Sequence, residues 1–138
     1  MREFVVEFKR VREKFKNNLK VVTNEVLQCD ISNEQPVLDS ELFYDGCSAG
    51  LFTFDVLQNG DMTPCPMFQE RILNTFTCTD FEETYTKSDV IKKLIKKQFL
   101  GKCGACKIKM LCGGCRVRSY FAYEDYFNED PLCFKVGI

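Results

Sequence analysis

The sequence contains no histidine. That absence removes the Ser-His-Asp and Cys-His catalytic pairs, His-ligated zinc and His-ligated haem, together with the usual carrier of proton transfer near neutral pH. Charge of one sign is also lacking. Nineteen lysines and arginines face 20 aspartates and glutamates, for a net charge of −1, so there is no general basic field for nucleic acid or anionic lipid. No apolar run approaches the roughly 18 residues that a membrane helix needs. The opening segment MREFVVEFKRVREKFKNN is charged throughout and has no uninterrupted apolar stretch of the kind found in a secretory signal. Internal repeats and low-complexity tracts are absent as well.

What is present is a chain of 138 residues, 45% hydrophobic and 28% charged. That mix belongs to a soluble globular protein, either one ordinary domain or a small domain with an appendage. It carries nine cysteines. The count is dense for an intracellular chain, and being odd it forbids a fully paired disulfide framework within one chain. Metal is the leading explanation.

The expected fold class is α+β: a small Cys-rich module, a β-hairpin followed by helices around metal, preceded by an amphipathic helix and a short strand. Phe4, Phe8, Val11, Phe15 and Leu19 recur at helical spacing, which predicts a helix over 2–18. LKVVTNEV reads as a strand rich in β-branched residues, and 29–46 as a connection. LFTFDV then alternates, with Phe52, Phe54 and Val56 on one face. Asn59-Gly60 follows, predicting a two-residue type I′ hairpin turn into MTPC. Cys47 and Cys65 thereby fall near the open ends of neighbouring strands. Residues 66–87 read as irregular. Ser88 as N-cap and Asp89 in the first turn predict a helix over 88–99, with Val90, Ile91, Leu94, Ile95 and Phe99 buried, Lys92, Lys93, Lys96 and Lys97 exposed, and Gly101 as the stop. An aromatic helix after the last cysteine loop is expected to end at Pro131.

Cys103, Cys106, Cys112 and Cys115 are spaced C-x2-C-x5-C-x2-C, with glycines at 104, 113 and 114 that let the backbone wrap a bulky centre. Structural zinc usually joins its two C-x2-C knuckles by something longer. A cubane iron–sulfur cluster takes thiolates from a tight loop plus a remote cysteine beside a proline, a role that Cys133 after Pro131 fits. A soft all-thiolate set suits iron–sulfur or zinc and disfavours calcium or magnesium. On spacing alone, iron–sulfur leads, with zinc and plain structural cysteines behind it.

The pattern from Cys47 to Cys133, with its words CSAG at 47–50, QNGDMTPCP at 58–66, LCGGCRVR at 111–118 and EDPLC at 129–133, resembles the SPASM domain. That domain is the C-terminal extension of many radical S-adenosylmethionine (SAM) enzymes. The two residues between Cys112 and Cys115, where three are commoner, are similar to haem and haem d1 maturation members. The resemblance implies two domains, 1–46 as the helix-strand remnant of a preceding α/β barrel and 47–138 as the auxiliary cluster domain. It also implies two [4Fe-4S] clusters. Cys103, Cys106, Cys112 and Cys133 would hold one; Cys47, Cys65 and Cys115 would hold the other, whose fourth position is open or filled by Cys29. Cys78 matches no motif position and reads as a plain buried cysteine.

The function so implied is auxiliary: electron transfer or substrate anchoring for a radical SAM core domain, joined in cis if the chain is a piece of the full enzyme. No C-x3-C-x2-C occurs in the sequence, so this chain is not expected to generate the radical itself. Oxygen-sensitive clusters imply a cytoplasmic location. The competing readings are a structural zinc module for protein contact and a thiol–disulfide oxidoreductase using Cys103/Cys106 or Cys112/Cys115. Against the latter, neither C-x2-C opens a helix in a βαβ setting.

Around the loop, Arg116, Arg118, Lys102, Lys107 and Lys109 are either cations that raise a cluster's potential or a solvated helix start. Tyr120, Phe121, Tyr123, Tyr126 and Phe127 read as a hydrophobic lid rather than an electron path. Glu82, Glu83, Glu124 and Asp125 read as surface carboxylates.

Overall fold

A computed structural model of the chain describes residues 2–19, 46–110 and 112–133. All but Leu19 of the expected strand at 19–26, most of the connection at 29–46, and Cys29 lie outside the described residues. Among those described, the chain is a small mixture of helices and one three-stranded antiparallel sheet, compatible with the α+β expectation. No described helix is long and apolar enough to cross a membrane.

Helix α1 spans Arg2–Phe15 and unwinds through a turn at 16–18. Glu7 and Arg10, one turn apart on its surface, form an ion pair of 2.6 Å. On the expected apolar face Val11 is half-buried, while Phe15 and Leu19 stay exposed.

The sheet runs β1 (Asp55–Val56), β2 (Asp61–Thr63) and β3 (Leu73–Asn74), with β2 in the centre. Asp55 faces Thr63 across the first pair and Met62 faces Leu73 across the second. The hairpin forms where Asn59-Gly60 predicts it, but its turn is a different one. Leu57 N–H donates to Asp61 O at 2.8 Å and Gly60 N–H to Leu57 O at 2.9 Å, which encloses a three-residue loop. Only Gly60 takes a positive φ, +82°, as this turn requires a single left-handed residue instead of two. The Asp61 carboxylate fixes the loop by accepting from Asn59, Arg71 and Asn74.

The alternating face of LFTFDV is not buried: Phe52, Phe54 and Val56 are all exposed. β1 is a two-residue edge strand, so burial belongs to its central neighbour, where Met62 and Thr63 are covered. β3 and a helix α2 (Phe81–Lys87) occupy the segment expected to be irregular. The missed signal for α2 was Asp80 with Glu83 three residues on; the Asp80 carboxylate accepts from Glu83 N–H at 2.8 Å.

Helix α3 (Asp89–Ile95) starts as expected, with Ser88 accepting from Ile91 N–H. Its buried side chains are Ile91 and Leu94, which pack so closely on Gly50 that a Cβ there would meet Ile91 Cδ1 at 2.9 Å. Ile95 is exposed. The helix stops earlier than expected, with Lys97 in the left-handed region at φ +48°. Lys97 is therefore not on the exposed lysine face: the turn swings it inward, and it is 3% exposed. Gly101, φ +55°, opens the short helix α4 (Gly101–Ala105) instead of ending the previous one.

Helix α5 (Arg116–Tyr123) ends at Glu124, itself left-handed at φ +56°, well before Pro131. The chain then folds back, and Leu100 N–H donates to Phe127 O at 2.7 Å. This return closes a core of Phe68, Val117 and Tyr126, against which Cys65, Val90, Cys115, Tyr120 and Phe127 pack. Three of the five expected lid aromatics, Tyr120, Tyr126 and Phe127, pack on the core, with Tyr126 stacked between Phe68 and Tyr120 at 3.7 and 4.3 Å, while Phe121 and Tyr123 face solvent.

Candidate metal centre

Cys47, Cys65 and Cys115 come from a loop before the sheet, the second residue past β2, and the N-cap position of α5. All three line one cavity of about 180 Å³, together with Ser48, Thr53 and Arg116. Eighteen residues separate the first two and fifty the last two, so only the tertiary fold brings them together. Burial pushes the Cys65 thiol up. Backbone N–H groups of Met67 and Phe68 oppose the shift, and the thiols of Cys47 and Cys115 add to it. Burial thus favours the protonated form of the Cys65 thiol.

The remaining cysteines of the pattern follow from α4. Cys103 lies buried within it and Cys106 is its C-cap. A turn then leads to Cys112, whose N–H donates to Ile108 O at 3.0 Å and whose carbonyl accepts from Cys47 N–H at 3.0 Å. That second bond stitches the loop to the first cavity. Cys133 returns from the far end through Asp130: Asp130 N–H donates to Cys103 Sγ at 3.3 Å, and Cys133 N–H donates to Asp130 O at 3.1 Å. Cys78 is half-buried, with Sγ 3.6 Å from Thr84 Oγ1. No disulfide forms among the eight described cysteines. Among the described residues no three Cys, Asp or Glu side chains are grouped as ligands of a single metal ion.

Asp130 ties the two sets of cysteines. Its carboxylate accepts from Cys115 N–H at 2.7 Å and Leu132 N–H at 3.0 Å and pairs with Arg118 at 2.7 Å. Burial pushes this carboxyl up, but the Arg118 bonds and the two backbone N–H groups outweigh it and hold the group below the usual aspartate value. Sequence reasoning passed over Asp130, although it stands in the EDPLC word beside Cys133.

The two cations nearest the cysteines are not solvated. Arg116 is 1% exposed and Lys97 3%. Lys97 Nζ donates to Cys47 O at 3.2 Å, and burial pulls its ammonium down while Cys47 and Cys112 push it back up. Arg116 lies over the Phe99 ring at 4.0 Å and reaches Cys103 Sγ with Nη2 at 3.6 Å. The solvated-helix-start reading is therefore wrong for Arg116. Gly114, φ +60°, permits this closeness: a Cβ there would lie 2.7 Å from Arg116 Nη2 and 3.2 Å from Cys103 Sγ.

Three curated proteins named AdoMet-dependent heme synthase are similar to this chain. That of Nitratidesulfovibrio vulgaris is 33% identical over 89 residues, 64% of this chain and 24% of its own length. That of Methanosarcina barkeri is 34% identical over 94 residues, 67% and 27% respectively. That of Oleidesulfovibrio alaskensis is 30% identical over 89 residues, 64% and 23%. The matches span about a quarter of the length of these relatives. No family model and no solved structure matches the chain. These relatives bear out the resemblance, read from the cysteine spacing, to haem-type maturases that use S-adenosylmethionine.

Proposed function

We propose that residues 47–138 form an auxiliary domain that binds two [4Fe-4S] clusters for a radical SAM enzyme of the haem-synthase kind. Residues 1–46 would belong to the end of the preceding barrel domain. Cys47, Cys65 and Cys115 would hold one cluster, with the fourth iron position left to Cys29 or to an outside ligand. Cys103, Cys106, Cys112 and Cys133 would hold the other. The partner would be the radical SAM core in the same chain, and the substrate class a tetrapyrrole, in keeping with the names of the relatives.

The observation that carries this reading is the convergence of Cys47, Cys65 and Cys115, remote in sequence, on one cavity. A soft, all-sulfur donor set in a half-buried pocket fits an iron–sulfur cubane, whose ligands stand farther apart than those around a single ion. Bound there, the clusters supply one-electron transfer or an iron that anchors substrate. The chain's own residues supply the rest. Phe68, Tyr120 and Tyr126 keep water from the backs of Cys65 and Cys115. Asp130 fixes the spacing between the two sets, and Gly113 and Gly114 let the loop close round its sulfur atoms.

The test is iron and sulfide content of anaerobically purified protein, with Cys103→Ala and Cys65→Ala alongside. About eight irons and eight sulfides per chain are expected, falling by about half in each variant. One or two zincs and no sulfide would overturn the reading and leave a structural zinc module.

A further inference from the structure

Arg116 is a fully buried guanidinium with no carboxylate paired to it among the described residues. Nη1 donates to the carbonyls of Tyr126 at 3.2 Å and Asn128 at 2.6 Å. Nη2 faces Cys103 Sγ, and Nε has no hydrogen-bond partner. Carbonyl dipoles and a ring face hold a guanidinium in place but do not neutralise it. A buried cation left without a counter-charge is costly by several kcal/mol. The neighbouring carboxylate, Asp130, is engaged by Arg118 and two backbone N–H groups. What surrounds Arg116 instead is sulfur: Cys103 in contact, and Cys47 and Cys65 across the cavity that it lines with its neighbour Cys115. Lys97, buried beside it, doubles the local positive charge.

We propose that Arg116 is the fixed counter-charge built into the fold for thiolate-bound iron, and that it raises the reduction potential of the centre ligated by Cys103. This rests on the cluster reading above. When such a centre accepts one electron its negative charge grows by one. A desolvated cation at contact distance favours that state, because neither water nor salt screens it. Arginine suits the task because its guanidinium keeps its charge on burial. Arg116 is a positioning and charge-setting residue, and it touches no substrate in this role.

The experiment uses the full chain, purified anaerobically as wild type, Arg116→Gln and Arg116→Lys. Iron and sulfide are counted in each, and the midpoint potentials are read by dithionite titration followed by electron paramagnetic resonance. Arg116→Gln is expected to keep its clusters and to shift one centre's reduced-to-oxidised ratio about tenfold towards oxidised, which is about 59 mV lower for one electron. Arg116→Lys is expected to stay near wild type. Loss of iron in Arg116→Gln with retention in Arg116→Lys would equally support a need for the charge. Unchanged potentials in a fully loaded Arg116→Gln would overturn the proposal. So would loss of iron in both variants, which would make Arg116 a strut for the 126–128 carbonyls. Wild type without iron would sink the cluster reading itself and this proposal with it, an outcome visible before any variant is compared.

Discussion

Replacing Asp130 by asparagine alters one atom and should be among the most damaging conservative changes in the chain. The side chain is 3% exposed, and its oxygens accept from Arg118 twice over and from the N–H groups of Cys115 and Leu132. Asparagine keeps one oxygen for one or both backbone N–H groups and turns an NH2 towards the guanidinium, donor against donor. Breaking a buried charge pair from one side costs about 3–5 kcal/mol. Arg118 is 21% exposed and can recover part of its hydration, so the lower end, about 3 kcal/mol, is the appropriate magnitude. In a chain of this size that is a drop of roughly 10 °C in melting temperature.

Urea unfolding of wild type, Asp130→Asn, Arg118→Met and the double variant, read by circular dichroism at neutral pH, isolates the pair. The coupling between the two positions should reach about 2 kcal/mol. The exposed pair Lys87–Glu83 on α2, treated in the same way, should give under about 0.5 kcal/mol. An Asp130→Asn cost below about 1 kcal/mol, or a coupling no larger than that of the exposed pair, would refute the argument that this carboxylate ties the cysteine segments together.

The same carboxylate sets an acid dependence. Its pKa is lowered below the ordinary 3.8 in the folded chain, so its contribution is full above that value and is lost as pH falls through the lower folded one. The stability gap between wild type and Asp130→Asn should therefore narrow below about pH 3.8, as denaturant midpoints measured down a pH series would show. Gly104→Ala should prevent α4 from closing. Its Cβ would stand 2.1 Å from the Phe99 carbonyl oxygen, a backbone atom that cannot swing away, and a loss of more than about 2 kcal/mol is expected in thermal unfolding. Ile91→Ala should cost about 2–5 kcal/mol, since the side chain is fully buried against Gly50. Exposed Ile95→Ala on the next turn should cost under about 0.5 kcal/mol by the same assay.

The local features were legible in the sequence because they depend on neighbours in the chain. Apolar spacing announced α1, Ser88 and Asp89 announced the start of α3, and Asn59-Gly60 announced the hairpin. The cysteine spacing with its glycines carried the resemblance that the haem-synthase relatives bear out. Misjudged features were those decided at a distance. The type of hairpin turn depended on the register between β1 and β2, and the burial of the LFTFDV face depended on β1 being the edge of the sheet. Periodicity placed Lys97 on a solvent face, but the helix stops two residues earlier, at Ile95, and a left-handed turn carries the ammonium inward to the Cys47 carbonyl. The sequence left Arg116 open between a solvated helix start and a cation beside the cysteines, because it cannot show that the carbonyls of Tyr126 and Asn128 fold back onto it.

The sequence by itself determined the chemistry available: abundant thiol, no imidazole, and glycines where a loop must close tightly. Only the tertiary structure decided which thiols meet. Cys47, Cys65 and Cys115 share a cavity because Cys65 and Cys115 pack on the core of Phe68, Val117 and Tyr126 while the Cys47 N–H is held by the Cys112 carbonyl, contacts between residues far apart in the chain. Charge followed the same rule. The number of lysines and arginines is a property of composition, but whether one is a solvated surface group or a desolvated cation set against sulfur depends on what the rest of the chain lays over it.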